Sequence, residues 1–383
     1  MLFLTPTLTD SDRELIDKID AIRRNLSYAL RVRKLWTGLL RRSAFARAIQ
    51  GSNSIEGYNV TLEDAIAAAD GEQQQPPNAD FEAWAAVSGY RAALTYVLQL
   101  SDDPHFEFQE GVIRALHYIM IGYDLDKHPG RWRPGSIFVR HEPSEGIVYE
   151  GPPAEEVPSL MAELIDSLNQ RDTTPVMVRA AMSHLNLVMI HPFSDGNGRM
   201  ARALQTFVLA REGILAPQFC SIEEHLGRNT PAYYDVLADV GQGKWHPERD
   251  ASRWIRFCLK AHFYQASTFL RRTKELEKLW DALEIEIKRR SLPDRTIFAL
   301  ADAAMGLRVR SSTYRTAVKE ISPQVASRDL KLLVEKKLLQ PKGERRGRVY
   351  VGSPAIKAIR ERTREPKTIE DPFTPKQPLL PFD

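Results

Sequence analysis

Two cysteines, Cys220 and Cys258, are all the thiols that a chain of 383 residues carries. They sit in the apolar contexts PQFCSI and IRFCLK, without the spacing of a metal site or the density of a disulfide framework. Both read as small buried hydrophobes in a reducing cytoplasm. Also missing is any apolar run approaching the roughly 18 residues that a membrane helix needs. The opening stretch MLFLTPTLTDSDREL lacks the basic region that begins a secretory signal. No internal repeat is present, and the net charge is only +3. These absences exclude membrane-spanning, disulfide-stapled and repeat architectures. They leave a cytoplasmic globular protein long enough for two or three domains.

The small net charge hides an asymmetry. Between Lys288 and Arg348 there are 16 Lys or Arg against 6 Asp or Glu, so a basic C-terminal module follows a slightly acidic body. Apolar periodicity predicts a mostly α protein. Leu15, Ile19, Ile22, Leu26, Leu30 and Leu35 place a helix over Ser11 to Leu40. Further helices are expected at Phe45 to Ile55, Thr61 to Ala69, Phe81 to Leu100 and Phe108 to Ile121, with Pro76 and Pro77 in an intervening loop. A β-hairpin is expected from Ile137-Phe138-Val139 and Ile147-Val148-Tyr149, joined by the turn Pro143-Ser144-Glu145-Gly146. Helices resume near Val157. One that opens at Pro175 and runs to Ile190 is apolar nearly all round, as a buried central helix should be.

That buried helix leads into HPFSDGNGRMAR, His191 to Arg202. Pro192 forbids smooth continuation, so His191 is presented at a helix end. Asp195-Gly196-Asn197-Gly198 offers small residues whose N–H groups can converge on an anion, at the start of a helix whose dipole favours phosphate. Arg199 and Arg202 lie three apart on one flank of that helix, opposite the apolar Met200, Leu204, Phe207 and Val208. Two guanidinium groups beside an anion nest suit a polyphosphate. Asp195 is a hard oxygen donor for Mg²⁺, and His191 is the group able to take a proton at neutral pH. Base, metal ligand, anion cradle and charge clamp together read as phosphoryl-group chemistry.

The twelve residues resemble the signature His-Pro-Phe-x-Asp/Glu-Gly-Asn-Gly-Arg-x-x-Arg of Fic domains, with every fixed position present. The resemblance implies a helical bundle that transfers AMP from ATP to a protein hydroxyl and releases pyrophosphate. It implies that His191 deprotonates the target Ser, Thr or Tyr and that Asp195 holds Mg²⁺. Gly196, Asn197 and Gly198 would bind the phosphates, and Arg199 and Arg202 would neutralise them. Met200, Ala201 and Tyr234 count among the ATP contacts, and Phe193 anchors the loop. The related Doc kinases carry Lys where this chain has Gly198, which favours nucleotidyl transfer.

Ser52-Asn53-Ser54-Ile55-Glu56-Gly57 resembles the inhibitory motif of the same family. There the glutamate, here Glu56, pairs with the second arginine, here Arg202, and takes the place of the γ-phosphate; Ser52 shares its helical face. The hairpin resembles the Fic flap, with Ile137, Phe138 and Val139 docking the target as an added strand. Tyr234 matches a position near the adenine, where an aromatic face can stack on a base; packing is the other reading for Tyr233 and Tyr234. His184 reads as a hydrogen-bonded core histidine.

The resulting plan is an N-terminal helical extension over 1–110, a Fic core over 111–290, a winged helix-turn-helix over 291–355 and a disordered Pro-rich tail over 356–383. In the third segment Pro323 to Lys331 resembles a recognition helix, and Lys342, Arg345, Arg346 and Arg348 form a basic wing. Expected partners are a hydroxyl-bearing target protein, the chain itself as substrate, DNA through 295–351, and a second copy, with no membrane. Alternatives stay open: AMP removal, another nucleotide donor, or a DNA-binding regulator whose core senses nucleotide.

Overall fold

The computed structural model describes residues 1–31, 34–71, 79–141, 146–170, 172–211, 213, 215, 219–319, 321–343 and 348–374. These residues form two compact units. The first takes residues within Met1–Arg31, Arg42–Ser267 and Ile369–Asp383, and the second takes residues within Val32–Arg41 and Thr268–Thr368. None of the described helices is long and apolar enough to cross a membrane.

The chain is mostly helical. In order come α1 (Asp10–Arg31), α2 (Thr37–Ile55), α3 (Leu62–Ala69), α4 (Phe81–Ser101) and α5 (Glu110–Ile121). The hairpin β1 (Phe138–His141) and β2 (Gly146–Glu150) follows, then α6 (Val157–Asn169), α7 (Val176–Ile190), α8 (Asn197–Ala210), α9 (Glu223–Arg228) and α10 (Thr230–Gly241). After β3 (Gly243–Lys244), the long α11 (Ser252–Arg289) passes from the first unit into the second. The second unit then adds α12 (Ile297–Ala304), α13 (Ser311–Val318), α14 (Pro323–Glu335), β4 (Leu339–Lys342), β5 (Val349–Gly352) and α15 (Pro354–Arg362).

The core of the first unit is α7, buried on nearly every side, packed against α8. α4 packs on both α5 and α8, so a helix expected in the N-terminal extension shares a core with the segment expected to follow it as a separate domain. The single helix expected over Ser11 to Leu40 is instead two. Trp36 turns into the core and α2 starts at Thr37, running unbroken through the segment expected to begin at Phe45. Thr61 caps α3 as its sequence suggested, accepting the N–H of Asp64 at 3.1 Å. The Pro76–Pro77 loop, the hairpin turn at 142–145, Arg345 and Arg346 of the expected wing, and residues 375–383 lie outside the described residues.

Two further differences have physical causes. The hairpin acquires a third strand, β3, which pairs in parallel with β2 and is too short for any periodicity to reveal. The tail expected from residue 356 begins inside α15. Pro354 occupies its first turn, and Ile356 and Ile359 are buried where the helix packs on α12 and β5.

α2 lies against α9 with almost no side chain between them. A Cβ on Gly51 would stand 2.5 Å from the carbonyl oxygen of Glu223, and one on Gly227 would stand 2.7 Å from the Gly51 Cα. Gly51→Ala should therefore destabilise the protein by about 1–3 kcal/mol, the overlap outweighing the gain in helix propensity. Gly38→Ala, in open space on the same helix, should be near neutral; equal denaturant midpoints for the two variants would show that the contact yields freely.

Candidate active site

Two left-handed residues bracket the loop between α7 and α8. His191 ends α7 at φ 51° and ψ 58°, a conformation that costs a residue with a Cβ roughly 1–2 kcal/mol. Gly196 caps α8 at φ 76°, where a Cβ would press to 2.8 Å from Ile121. Nδ1 of His191 lies 3.1 Å from the Val188 carbonyl, so it carries the proton and Nε2 keeps its lone pair. Burial lowers the pKa of His191; the Val188 carbonyl opposes this and the Arg133 guanidinium reinforces it. The imidazole is thus neutral near pH 7, with Nε2 available as a base.

The loop is held from behind by its carbonyl groups. Nε of Arg133 donates to His191 at 2.8 Å, and the backbone N–H of Arg133 donates to Pro192 at 2.9 Å. The same guanidinium reaches the carbonyls of Gly135 and Pro152, at 2.6 and 2.5 Å, fastening the base of the flap to the loop. Asn197 clasps Phe193 with its side chain, accepting the N–H at 2.9 Å and donating to the carbonyl at 2.8 Å. His117 stacks on Phe193 with ring centres 3.7 Å apart. Its Nδ1 accepts the N–H of Gly130 at 2.8 Å, so Nε2–H donates to the Asp195 carbonyl at 2.9 Å. Carbonyls on one side are consumed, which leaves the opposite side of the turn to N–H groups.

Asp195 accepts the N–H of Gly196 at 2.6 Å and pairs with Lys127 at 3.1 Å and Arg199 at 3.7 Å. Burial pushes its pKa up, but the Arg199 and Lys127 charges more than offset that and hold it below the usual carboxylate range. Among the described residues no cluster of three metal-ligating side chains exists. A cation at Asp195 would complete its shell with phosphate oxygens and water, the habit of Mg²⁺ rather than of a metal in a protein cage. An ionised, half-exposed carboxylate beside an anion cradle fits that ion. Arg199 lies over the Tyr58 ring, 4.9 Å from its centre.

Arg202 is buried and fixed from α2. Its Nε donates to Ser52 Oγ at 2.8 Å, and one terminal nitrogen donates to the Ser52 carbonyl at 2.9 Å and to Glu56 Oε1 at 2.6 Å. Burial alone would lower its pKa, but Glu56 raises it above the usual value. The Glu56 carboxylate hangs directly over the cradle, 2.4 Å from where a Gly198 Cβ would be. Gly57 makes that aim possible. At φ 84° it closes the end of α2 by donating its N–H to the Ser54 carbonyl, while Tyr58 donates to that of Asn53, a Schellman cap in which Glu56 is the C-cap residue just past Ile55.

Other expected residues fall as follows. Met200 and Ala201 are fully buried, and the Met200 N–H is already given to Gly196, so Met200 offers a ligand neither side chain nor donor. Tyr234 is nearly half exposed and donates its hydroxyl to the Ile55 carbonyl at 3.0 Å, beside Glu56. Tyr233 is buried and meets His184 Nε2 at 2.9 Å; His184 is a core histidine, as its context suggested. Ile137 precedes β1, and Phe138 and Val139 lie on it, at the free edge of the sheet. Tyr149 on β2 pins the flap to α7 by donating to the Met189 carbonyl at 2.8 Å.

Residues 107–209 match the Fic/DOC family. The chain carries a Fic domain over these residues. It is similar to the "Protein adenylyltransferase Fic" of Nematostella vectensis, 29% identical over 72% of this chain and 62% of the relative. It is also similar to "Protein adenylyltransferase fic-1" of Caenorhabditis elegans, 25% identical over 66% of this chain and 49% of the relative. It thus spans about half to three fifths of the curated relatives it matches. A Fic family protein from Desulfovibrio desulfuricans G20 shares the fold at a TM-score of 0.57, covering 91% of this chain and 98% of that one at 24% identity. A Fic domain protein from Bacteroides thetaiotaomicron does so at 0.54, over 68% and 97%, at 21% identity.

Sequence reasoning about this Fic protein missed Arg133, His117, Lys127 and Tyr58. Only His117 left a trace, as a polar residue on the apolar face of α5. Burial pushes its pKa down to about 4, below the ordinary 6.5, so the unfolded chain binds the proton more readily than the folded one. Its contribution to stability is complete above about pH 6.5 and shrinks as pH falls toward 4, by up to about 3 kcal/mol. Urea midpoints should therefore drop over that interval, and His117→Gln should flatten the drop. An unchanged slope in the variant would place the titration elsewhere.

Proposed function

We propose that this Fic protein transfers AMP from ATP to a hydroxyl side chain of a protein and that Glu56 holds the activity down. The observation that carries the reading is a neutral His191 with Nε2 free, next to an anion cradle whose clamp, Arg202, is occupied by Glu56. The names of the curated relatives support the reaction class. ATP is the substrate and Mg²⁺ the implied cation, with Asp195 as its protein ligand. That ion, when bound, neutralises phosphate charge and fixes the leaving group.

In this reading the free β1 edge receives an extended segment of the target, with Ile137, Phe138 and Val139 beside it, and sets its hydroxyl before His191. Nε2 takes the hydroxyl proton as the oxygen attacks the α-phosphorus. The bond from that phosphorus to the bridging oxygen breaks, and pyrophosphate leaves. The N–H groups of Asn197 and Gly198, that of Gly196 once Asp195 turns to the cation, and the guanidinium groups of Arg199 and Arg202 stabilise the charge that develops. Arg202 grips the terminal phosphate only when Glu56 withdraws. With Glu56 in place, the triphosphate lies out of line for attack. Tyr234 presents its ring to the base.

Four outcomes test this. Glu56→Gly should raise transfer of α-labelled phosphate to protein by about tenfold or more, whether on the chain itself or on an added extract. His191→Ala in that background should remove about 10²–10⁴-fold of it while ATP binding persists. Label arriving from the γ-phosphate instead, or none from either position, would overturn the reaction class. Because burial lowers the His191 pKa, its base form persists below pH 6.5, and the acid limb of the rate profile should lie below that value. A limb above pH 7 would remove His191 from the role. Finally, Glu56→Gly leaves a buried cation with less compensation, so its melting temperature should fall and recover on adding ATP.

A further inference from the structure

The second unit carries chemistry that nucleotidyl transfer does not use. α12, α13 and α14 are followed by the antiparallel pair β4–β5, with Val309 bridged to Tyr350 as a short third strand. α13 ends at Val318 and α14 begins at Pro323 behind the cap Ser322, the short connection of a helix-turn-helix. Helix, turn, helix and hairpin wing in this order form a winged helix, whose last helix is shaped for the major groove.

The side chains of α14 are sorted by charge. Ala326, Asp329, Leu330 and Leu333 are buried. Asp329, the sole acid before the last residue of the helix, faces inward. Arg295 grips both its oxygens, at 2.6 and 2.9 Å, and Tyr314 donates to it at 3.0 Å. Outward on one stripe stand Gln324, Ser327, Arg328 and Lys331, all exposed at i, i+3, i+4 and i+7, and Glu335, the exposed last residue of the helix, which pairs loosely with Lys331 at 3.9 Å. Lys342 and Arg348 stand exposed at the two sides of the wing. Among the described residues of 291–374 no large hydrophobic side chain is exposed. Protein-docking faces are anchored by such side chains, whereas a polar stripe with four cations complements a polyanion.

We propose that this face binds duplex DNA, with Gln324 and Arg328 reading base edges in the major groove and Lys331, Lys342 and Arg348 holding phosphates. Glutamine pairs with adenine and arginine with guanine in that groove, and lysines at the margin neutralise the backbone. The groove of an RNA duplex is too narrow to admit α14. The nucleotide-transfer site lies in the other unit, so failure of either reading leaves the other standing.

The test uses the full chain and a labelled duplex recovered by selection from a random pool, followed by fluorescence anisotropy across a salt series. Binding should weaken linearly on log–log axes. Arg328→Ala should lose about tenfold or more on the selected sequence and relax the preference at one base pair. Lys342→Ala with Arg348→Ala should weaken every sequence alike and reduce the salt slope by about two. Lys331→Gln, which cannot disturb the core from an exposed position, checks the face independently, and equal melting temperatures exclude misfolding. Absence of duplex binding at micromolar protein and physiological salt, an affinity indifferent to these variants, or equal binding to heparin and RNA without a selected consensus would each overturn the proposal.

Discussion

Arg202 is a permanent cation with about 1% of its side chain exposed, and much of the first unit is arranged around the need to compensate it. A guanidinium removed from water is costly unless anions and acceptors surround it. Ser52 on α2 supplies two oxygens and Glu56, just past its end, supplies a charge, from some 150 positions away in the chain. That one residue therefore ties the N-terminal helices to the catalytic loop, and the expected boundary near residue 110 does not separate two bodies.

The loop itself obeys a second constraint, that every buried carbonyl be satisfied. Arg133, Asn197 and His117 meet those of His191, Phe193 and Asp195. This division explains why a loop with a left-handed histidine is kept. The strain at His191 is offset by these hydrogen bonds, and the result is an imidazole whose Nδ1 is committed and whose Nε2 is not.

That contrast also marks what was legible in the sequence. The residues from His191 to Arg202 are contiguous, and their types state their chemistry, so base, cradle and clamp could be read directly. α7 was legible because it is apolar all round, and α14 because its amphipathic stripe is regular. Arg133 and Lys127 were not, because a lone basic residue in a Gly- and Pro-rich stretch looks like any solvated charge until its partners 58 and 68 positions away are known. Met200 was misread because adjacency in a motif does not imply facing the ligand; helical geometry turns it to the core. β3 escaped because two residues show no period, and α15 because the boundary expected after residue 355 cut through its first turn.

If Glu56 inhibits as proposed, an anion tethered to the protein must outcompete a triphosphate that carries more charge. Charge alone does not decide it. Glu56 is delivered by a helix whose end is capped and whose side rests on α9 through backbone contact at Gly51 and Gly227. Little entropy is lost when it pairs, so its effective concentration at Arg202 is high. A free nucleotide therefore meets a competitor already in place, and in the proposed inhibition the rigidity of α2 counts beside the charge of the carboxylate. Tyr234, bonded to the Ile55 carbonyl from α10, sits where a base stacked on its ring would feel the same helix move.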